Sequence, residues 1–139
     1  MHEIATFDPA SLHALVGPGK ANFLMIGGLK YTVAGGKLYN PDGKIAVLYS
    51  PGYGSGWTTS GCADNMVYAP LLAVGVLLNA TREQLDEAVA LTWPGERVYA
   101  GGLNQLSIQW LTPGTPFRID EYDGSESIEV YDSDQYTIA

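Results

Sequence analysis

Seventeen glycines and eight prolines divide this 139-residue chain into short segments joined by many turns. Nine tyrosines and three tryptophans incline those segments toward strands. After a loose start with a short helix at Pro9–Val16, Phe23–Ile26 and Leu29–Val33 read as strands. Gly35-Gly36 supplies one turn. Asn40-Pro41-Asp42-Gly43 supplies another, with proline at the second position of a type I turn. Lys44–Tyr49 is a short apolar run of the kind that forms a well-buried strand.

A loop at Ser50–Asn65 leads into the helical part. Ala69 or Tyr68 caps a helix that starts with Pro70, where proline is tolerated because the first N–H has no partner. Thr81 and Gln84 form a capping box for a second helix, with Leu85, Ala88, Val89 and Thr92 on one face and Trp93-Pro94-Gly95 as its stop. Strands then return. Leu106, Ile108 and Trp110 alternate along a half-buried strand, and Thr112–Thr115 turns the chain. Phe117–Tyr122 and Ser125–Val130 flank Asp123-Gly124, a favoured hairpin turn. Pairing outward from it sets Ile119 against Ile128, Phe117 against Val130 and Arg118 against Glu129. The expected fold class is α+β: a single domain over residues 1–139, mostly antiparallel sheet with two short central helices.

Composition narrows the function classes. The hydrophobic fraction is 46%, too high for a disordered acidic chain. The net charge is −8, yet seven of the 15 acidic residues lie within 119–139, a stretch without lysine or arginine. The rest is nearly neutral, so an anionic ligand is allowed there, while an extended duplex nucleic acid is not expected. The longest apolar stretch, Met66–Leu78, is 13 residues and is broken by Pro70 and Gly75, too short for a membrane span. Met1–Ala5 lacks the basic and apolar regions of a secretory signal. Cys62, the single cysteine, allows no internal disulfide, which fits a cytoplasmic protein.

The strongest candidate ligand site is the run Ser50–Gly61, which follows the buried strand, with Tyr53, Gly54, Ser55, Gly56, Trp57 and Thr58 as its ligand-binding residues. Glycines let successive N–H groups converge on an anion, and Tyr53 or Trp57 offers a surface for a planar ring. A nucleotide-like molecule uses both. The spacing matches neither a P-loop nor a dinucleotide fingerprint, and no serine sits in a nucleophile elbow. Lys44 and Arg97, each beside a glycine-rich segment, are the candidate phosphate contacts. Cys62 with His2 or His13 forms only a thin nucleophile–base pair, and no histidine cluster has metal-ligand spacing. No cofactor is implied. The hairpin register sets Glu121 against Glu126. The simplest reading lets both splay into water beside the turn; the alternatives are a divalent cation, an acid–base pair or a basic partner.

The run Lys44–Trp57, with S-P-G-Y-G-S-G-W at its end, resembles a segment of small phage- and prophage-encoded accessory proteins. So do Ala100-Gly101-Gly102-Leu103 and the stretch Trp110–Glu126, which contains W-L-T-P-G-T-P-F-R-I-D-E-Y-D-G-S-E. Together they cover roughly a quarter of the chain. The resemblance implies a viral accessory origin and carries over no catalytic residue. Three functional expectations follow. The first is a non-enzymatic homo-oligomer that sequesters a small nucleotide-like host molecule and so counteracts antiviral defence. The second is an inhibitor that covers a basic surface of a host defence protein with Glu121, Glu126 and Glu129. The third is a metal-dependent enzyme acting through paired carboxylates.

Overall fold

The computed structural model describes residues 2–17, 19–51, 67–94, 106–122, 125–130 and 137–138. In chain order the elements are β1 (His2–Ile4), α1 (Pro9–Val16), β2 (Asn22–Ile26), β3 (Leu29–Ala34), β4 (Lys37–Tyr39), β5 (Ile45–Tyr49), α2 (Pro70–Leu77), α3 (Arg82–Thr92), β6 (Ser107–Leu111), β7 (Pro116–Tyr122), β8 (Ser125–Val130) and β9 (Thr137–Ile138). The first six strands form one sheet in the order β1-β2-β3-β4-β5-β6, and the last three form a smaller one in the order β8-β7-β9. All pairings are antiparallel except β1 with β2. The class is α+β. No helix among the described residues is long and apolar enough to cross a membrane.

Two glycine pairs set the register of the first three antiparallel strands. Gly27-Gly28 and Gly35-Gly36 all have φ between 59° and 79°, the left-handed values that a two-residue hairpin turn demands at both positions. The next turn works differently. The Gly43 N–H donates to the Asn40 carbonyl at 2.9 Å, and the Asn40 side-chain oxygen accepts from the N–H groups of Asp42 and Lys44. Asparagine thus closes the turn that launches β5.

Strand alternation divides the core in two. On one face of the larger sheet, Leu24, Tyr31, Val33, Leu38, Ala46 and Leu48 meet the helices. There α2 packs on β4, β5 and β6 while α1 and α3 close over it. Pro70 through Gly75 are all buried, so α2 is a core helix without a solvated face, and Leu71, Leu72 and Val74 contribute about 1.5–3 kcal/mol each by burial. Packing is tight enough that a Cβ on Gly75 would lie 2.7 Å from Leu85 Cδ2. The capping box forms as expected: the Gln84 N–H donates to Thr81 Oγ1 while Gln84 Oε1 accepts from the Thr81 N–H.

On the opposite face Ile45, Val47 and Leu111 meet Phe117, Ile119, Ile128 and Tyr68 in a second core. The smaller sheet reaches the larger one through β5. Among the described residues this second core lies over β4–β6, and the face of β2 and β3 carrying Phe23, Met25, Lys30 and Thr32 lies beyond it.

The β7–β8 register follows the sequence reading, including Ile119 with Ile128, Phe117 with Val130 and Arg118 with Glu129. The expected inner pair of Phe117 and Val130 splits, however. Phe117 is buried, while Val130 is exposed at the end of the edge strand β8. Strands β1, β4 and β9 were not expected. Each has only two or three residues and takes its strand character from pairing with a neighbour rather than from its own composition.

Candidate functional site

The carboxyl end of β5 carries the geometry of interest. Tyr49 is the last β5 residue in the ladder and pairs with Ser107 at the start of β6. Ser50, beyond the ladder, is 1% exposed, so its backbone groups need protein partners. Both come from one residue 76 positions later. The Ser50 N–H donates to Glu126 Oε1 at 2.8 Å, and the Glu126 N–H donates to the Ser50 carbonyl at 2.7 Å.

Glu126 is itself 1% exposed. This corrects the expectation that its carboxylate splays into water or faces a partner. The side-chain period of two puts Glu126 on the inner face of β8 with Ile128, and Ser50 supplies a donor across from it. The carboxylate is a clamp inside the fold. The Cα register does set Glu121 opposite Glu126 and Arg118 opposite Glu129, but the side chains of Glu121 and Glu129 lie outside the described residues.

The clamp sits where the glycine-rich segments join the sheet. Residues 52–66 follow Pro51 and rejoin at Val67, whose carbonyl accepts the Leu48 N–H at 2.8 Å. Residues 95–105 rejoin at Leu106, which is buried immediately before the Ser107–Tyr49 pair. Residues 52–66 therefore leave and rejoin the described structure beside this end of β5, and residues 95–105 rejoin it there. Tyr53, Gly54, Ser55, Gly56, Trp57, Thr58, Cys62 and Arg97 lie outside the described residues. Val67 leads into Tyr68, whose ring meets Phe117 edge-on at 6.4 Å and carries the Lys37 ammonium 4.6 Å above it. Burial first, and the neighbouring Tyr39 second, push the Tyr68 phenol above its ordinary pKa.

Lys44 is not part of this end. It precedes β5 while Ser50 follows it, a separation of about 20 Å along an extended strand. The glycine beside it, Gly43, belongs to the Asn40 turn. His2 is exposed on β1, and His13 lies on α1 with Nδ1 buried and without a hydrogen-bond partner. Among the described residues, no three His, Cys, Asp or Glu side chains are grouped so as to hold a metal ion. Ser50, which opens the candidate ligand run in sequence, is instead a buried structural anchor, and its only sequence signal for that role is its position at the end of an apolar strand.

Comparison of the chain with protein-family models, with curated proteins and with solved structures gives no match.

Proposed function

We propose that this protein is a non-enzymatic accessory protein of phage type that captures a small nucleotide-like molecule at the carboxyl end of β5. The observation that supports the reading is that both ends of residues 52–66 and the carboxyl end of residues 95–105 meet the sheet beside the end of β5, held by the Tyr49–Ser107 pair, the Leu48–Val67 hydrogen bond and the Glu126 clamp. Binding residues concentrate on loops held by a rigid scaffold. In sequence, these two segments contain Tyr53, Trp57, Arg97 and seven glycines, the residue types that a planar ring and a phosphate require. Sequestration of a host signal by a cytoplasmic homo-oligomer is the role that fits such a site. The rival reading, an acidic hairpin inhibiting a basic host protein, has lost Glu126 as a surface contact.

Calorimetry against a panel of cyclic and linear nucleotides tests the proposal, with tryptophan fluorescence read in parallel. One member of the panel should bind, and Trp57→Ala should weaken it. Absence of heat across the panel, together with unchanged fluorescence, would overturn the reading.

A further inference from the structure

The larger sheet has a face that the smaller sheet leaves open, and its chemistry differs from the rest of the molecule. All four lysines of the chain fall between residues 20 and 44. Lys30 and Lys37 project from β3 and β4 on the side away from the helices, as do Phe23, Thr32 and Tyr39. Acidic residues outnumber basic ones by 15 to 7 in this chain, yet neither lysine pairs with a carboxylate among the described residues. Each rests on a ring instead: Lys30 over Phe23 at 4.2 Å and Lys37 over Tyr68 at 4.6 Å. The carboxylates nearest in the strand order are Glu3, two strands from Lys30, and Asp42, in the turn before β5.

Phe23, Thr32 and Tyr39 stand in one row across β2, β3 and β4, so Phe23 and Tyr39 are about 10 Å apart over two inter-strand spacings; Tyr39 marks the border of the open face, half-buried against the second core and lining the hollow beside Lys30 and Thr32. A hollow opens on each side of Thr32. One, of about 390 Å³, is lined by Phe23, Thr32, Asn22 and His2. The other, of about 450 Å³, is lined by Lys30, Thr32, Tyr39, Asn40, Pro41 and Gly43. Phe23, at the β2 end of the row, is 49% exposed. The row therefore offers a ring, a cation and a hydroxyl, then a second ring.

We propose that this open face binds a short single-stranded oligonucleotide, with one base on Phe23, a neighbouring base on Tyr39 and the intervening phosphate on Lys30 and the Thr32 hydroxyl. Sheet faces that interleave aromatic rings with cations suit single strands, because every base has a π-face and the backbone is anionic. The Lys30–Phe23 contact does not block this. An exposed cation–π contact is weak, so the flexible lysine turns to an arriving phosphate and releases the ring. A duplex hides its base faces in the stack and gains nothing from Phe23. The proposal is independent of the site at the carboxyl end of β5.

The experiment is fluorescence anisotropy of a dye-labelled oligouridylate and an oligothymidylate, titrated with the intact protein at several salt concentrations. Saturable binding that weakens with salt is expected. Phe23→Ala should weaken it by about 5- to 150-fold, the range for loss of one stacked base. Lys30→Ala should weaken it and flatten the salt slope by about 0.7. Both side chains are exposed, and an unchanged melting temperature verifies that the variants fold. Arg82→Ala, which removes a basic group on α3 on the other side of the sheet, should leave the affinity unchanged. The proposal is overturned if no saturable binding appears at low salt, or if Phe23→Ala and Lys30→Ala bind like the parent protein. It is equally overturned if a duplex, a mononucleotide or polyglutamate competes as well as the single strand, or if Arg82→Ala costs as much as Phe23→Ala.

Discussion

Replacing Glu126 tests whether a carboxylate in the interior holds the root of residues 52–66. Glu126→Ala removes the acceptor from the Ser50 N–H, a group with no route to water in a residue 1% exposed. A hydrogen bond to a charged acceptor contributes about 1.5–3 kcal/mol, and loss of the buried side-chain methylene adds about 0.8 kcal/mol. The expected destabilisation is therefore about 2–4 kcal/mol, a large share of the total stability of an ordinary domain. Glu126→Gln keeps the methylene and an acceptor oxygen but removes the charge. Neutral hydrogen bonds are about half as strong as charge-assisted ones, so this variant should cost about 1 kcal/mol. Urea denaturation followed by tryptophan fluorescence gives both numbers, provided that the slope with denaturant stays constant. If Glu126→Ala falls within about 0.5 kcal/mol of the parent, the range of an ordinary surface substitution, the clamp is refuted. Equal cost in the two variants would instead show that charge, and not the acceptor, is what Ser50 requires.

Three further outcomes follow from packing and protonation. Gly75→Ala would gain about 0.5–1 kcal/mol in helix propensity, but its Cβ would lie 2.7 Å from Leu85 Cδ2 and 3.1 Å from Phe7 Cζ. A net loss of about 1–3 kcal/mol is expected from overpacking, read as a lower midpoint in thermal melting. Thr81→Ala breaks the capping box and should cost about 1 kcal/mol in the same assay. The Tyr68 phenol, raised from 10.0 by burial and then by Tyr39, holds its proton more firmly folded than unfolded. Its contribution is complete below the unfolded value and is lost as pH rises through the folded one. Stability should therefore decline above about pH 10, and Tyr68→Phe should flatten that decline in denaturation curves taken across the alkaline range.

The β7–β8 register was legible because alternation and a turn signal act over neighbouring residues, and a slip of one would bury Arg118 and Glu129 in place of Ile119 and Ile128. The same alternation puts Glu126 on the face of Ile128, although its place beside the turn made exposure to water the simpler expectation. What it could not convey was the donor across from it, since Ser50 lies 76 residues away. The capping box was legible for the same local reason. The open face was not, because which half of a sheet a second sheet covers depends on how β7 and β8 pack on β5. Lys44 illustrates the converse error. Adjacency to Gly43 in sequence suggested a shared site with residues 53–58, but an extended strand carries its two ends apart.

The position of β5 also bears on the order in which the chain assembles. This strand buries Ile45, Ala46, Val47 and Leu48, yet its ladder with β4 is a single residue pair, Tyr39 with Ile45, and its long ladder is with Ser107–Leu111. During synthesis at about 5–20 residues per second, β6 follows β5 by about 3–12 s. Throughout that interval the most apolar strand of the molecule has an open edge, the condition under which nascent chains pair with one another. Helices α2 and α3 are made within the interval and can shield one face of β5, but its edge waits for β6 and its other face for Phe117 and Ile128. Yield of folded protein should thus depend more on how quickly the last third of the chain arrives than on the stability that the finished fold attains.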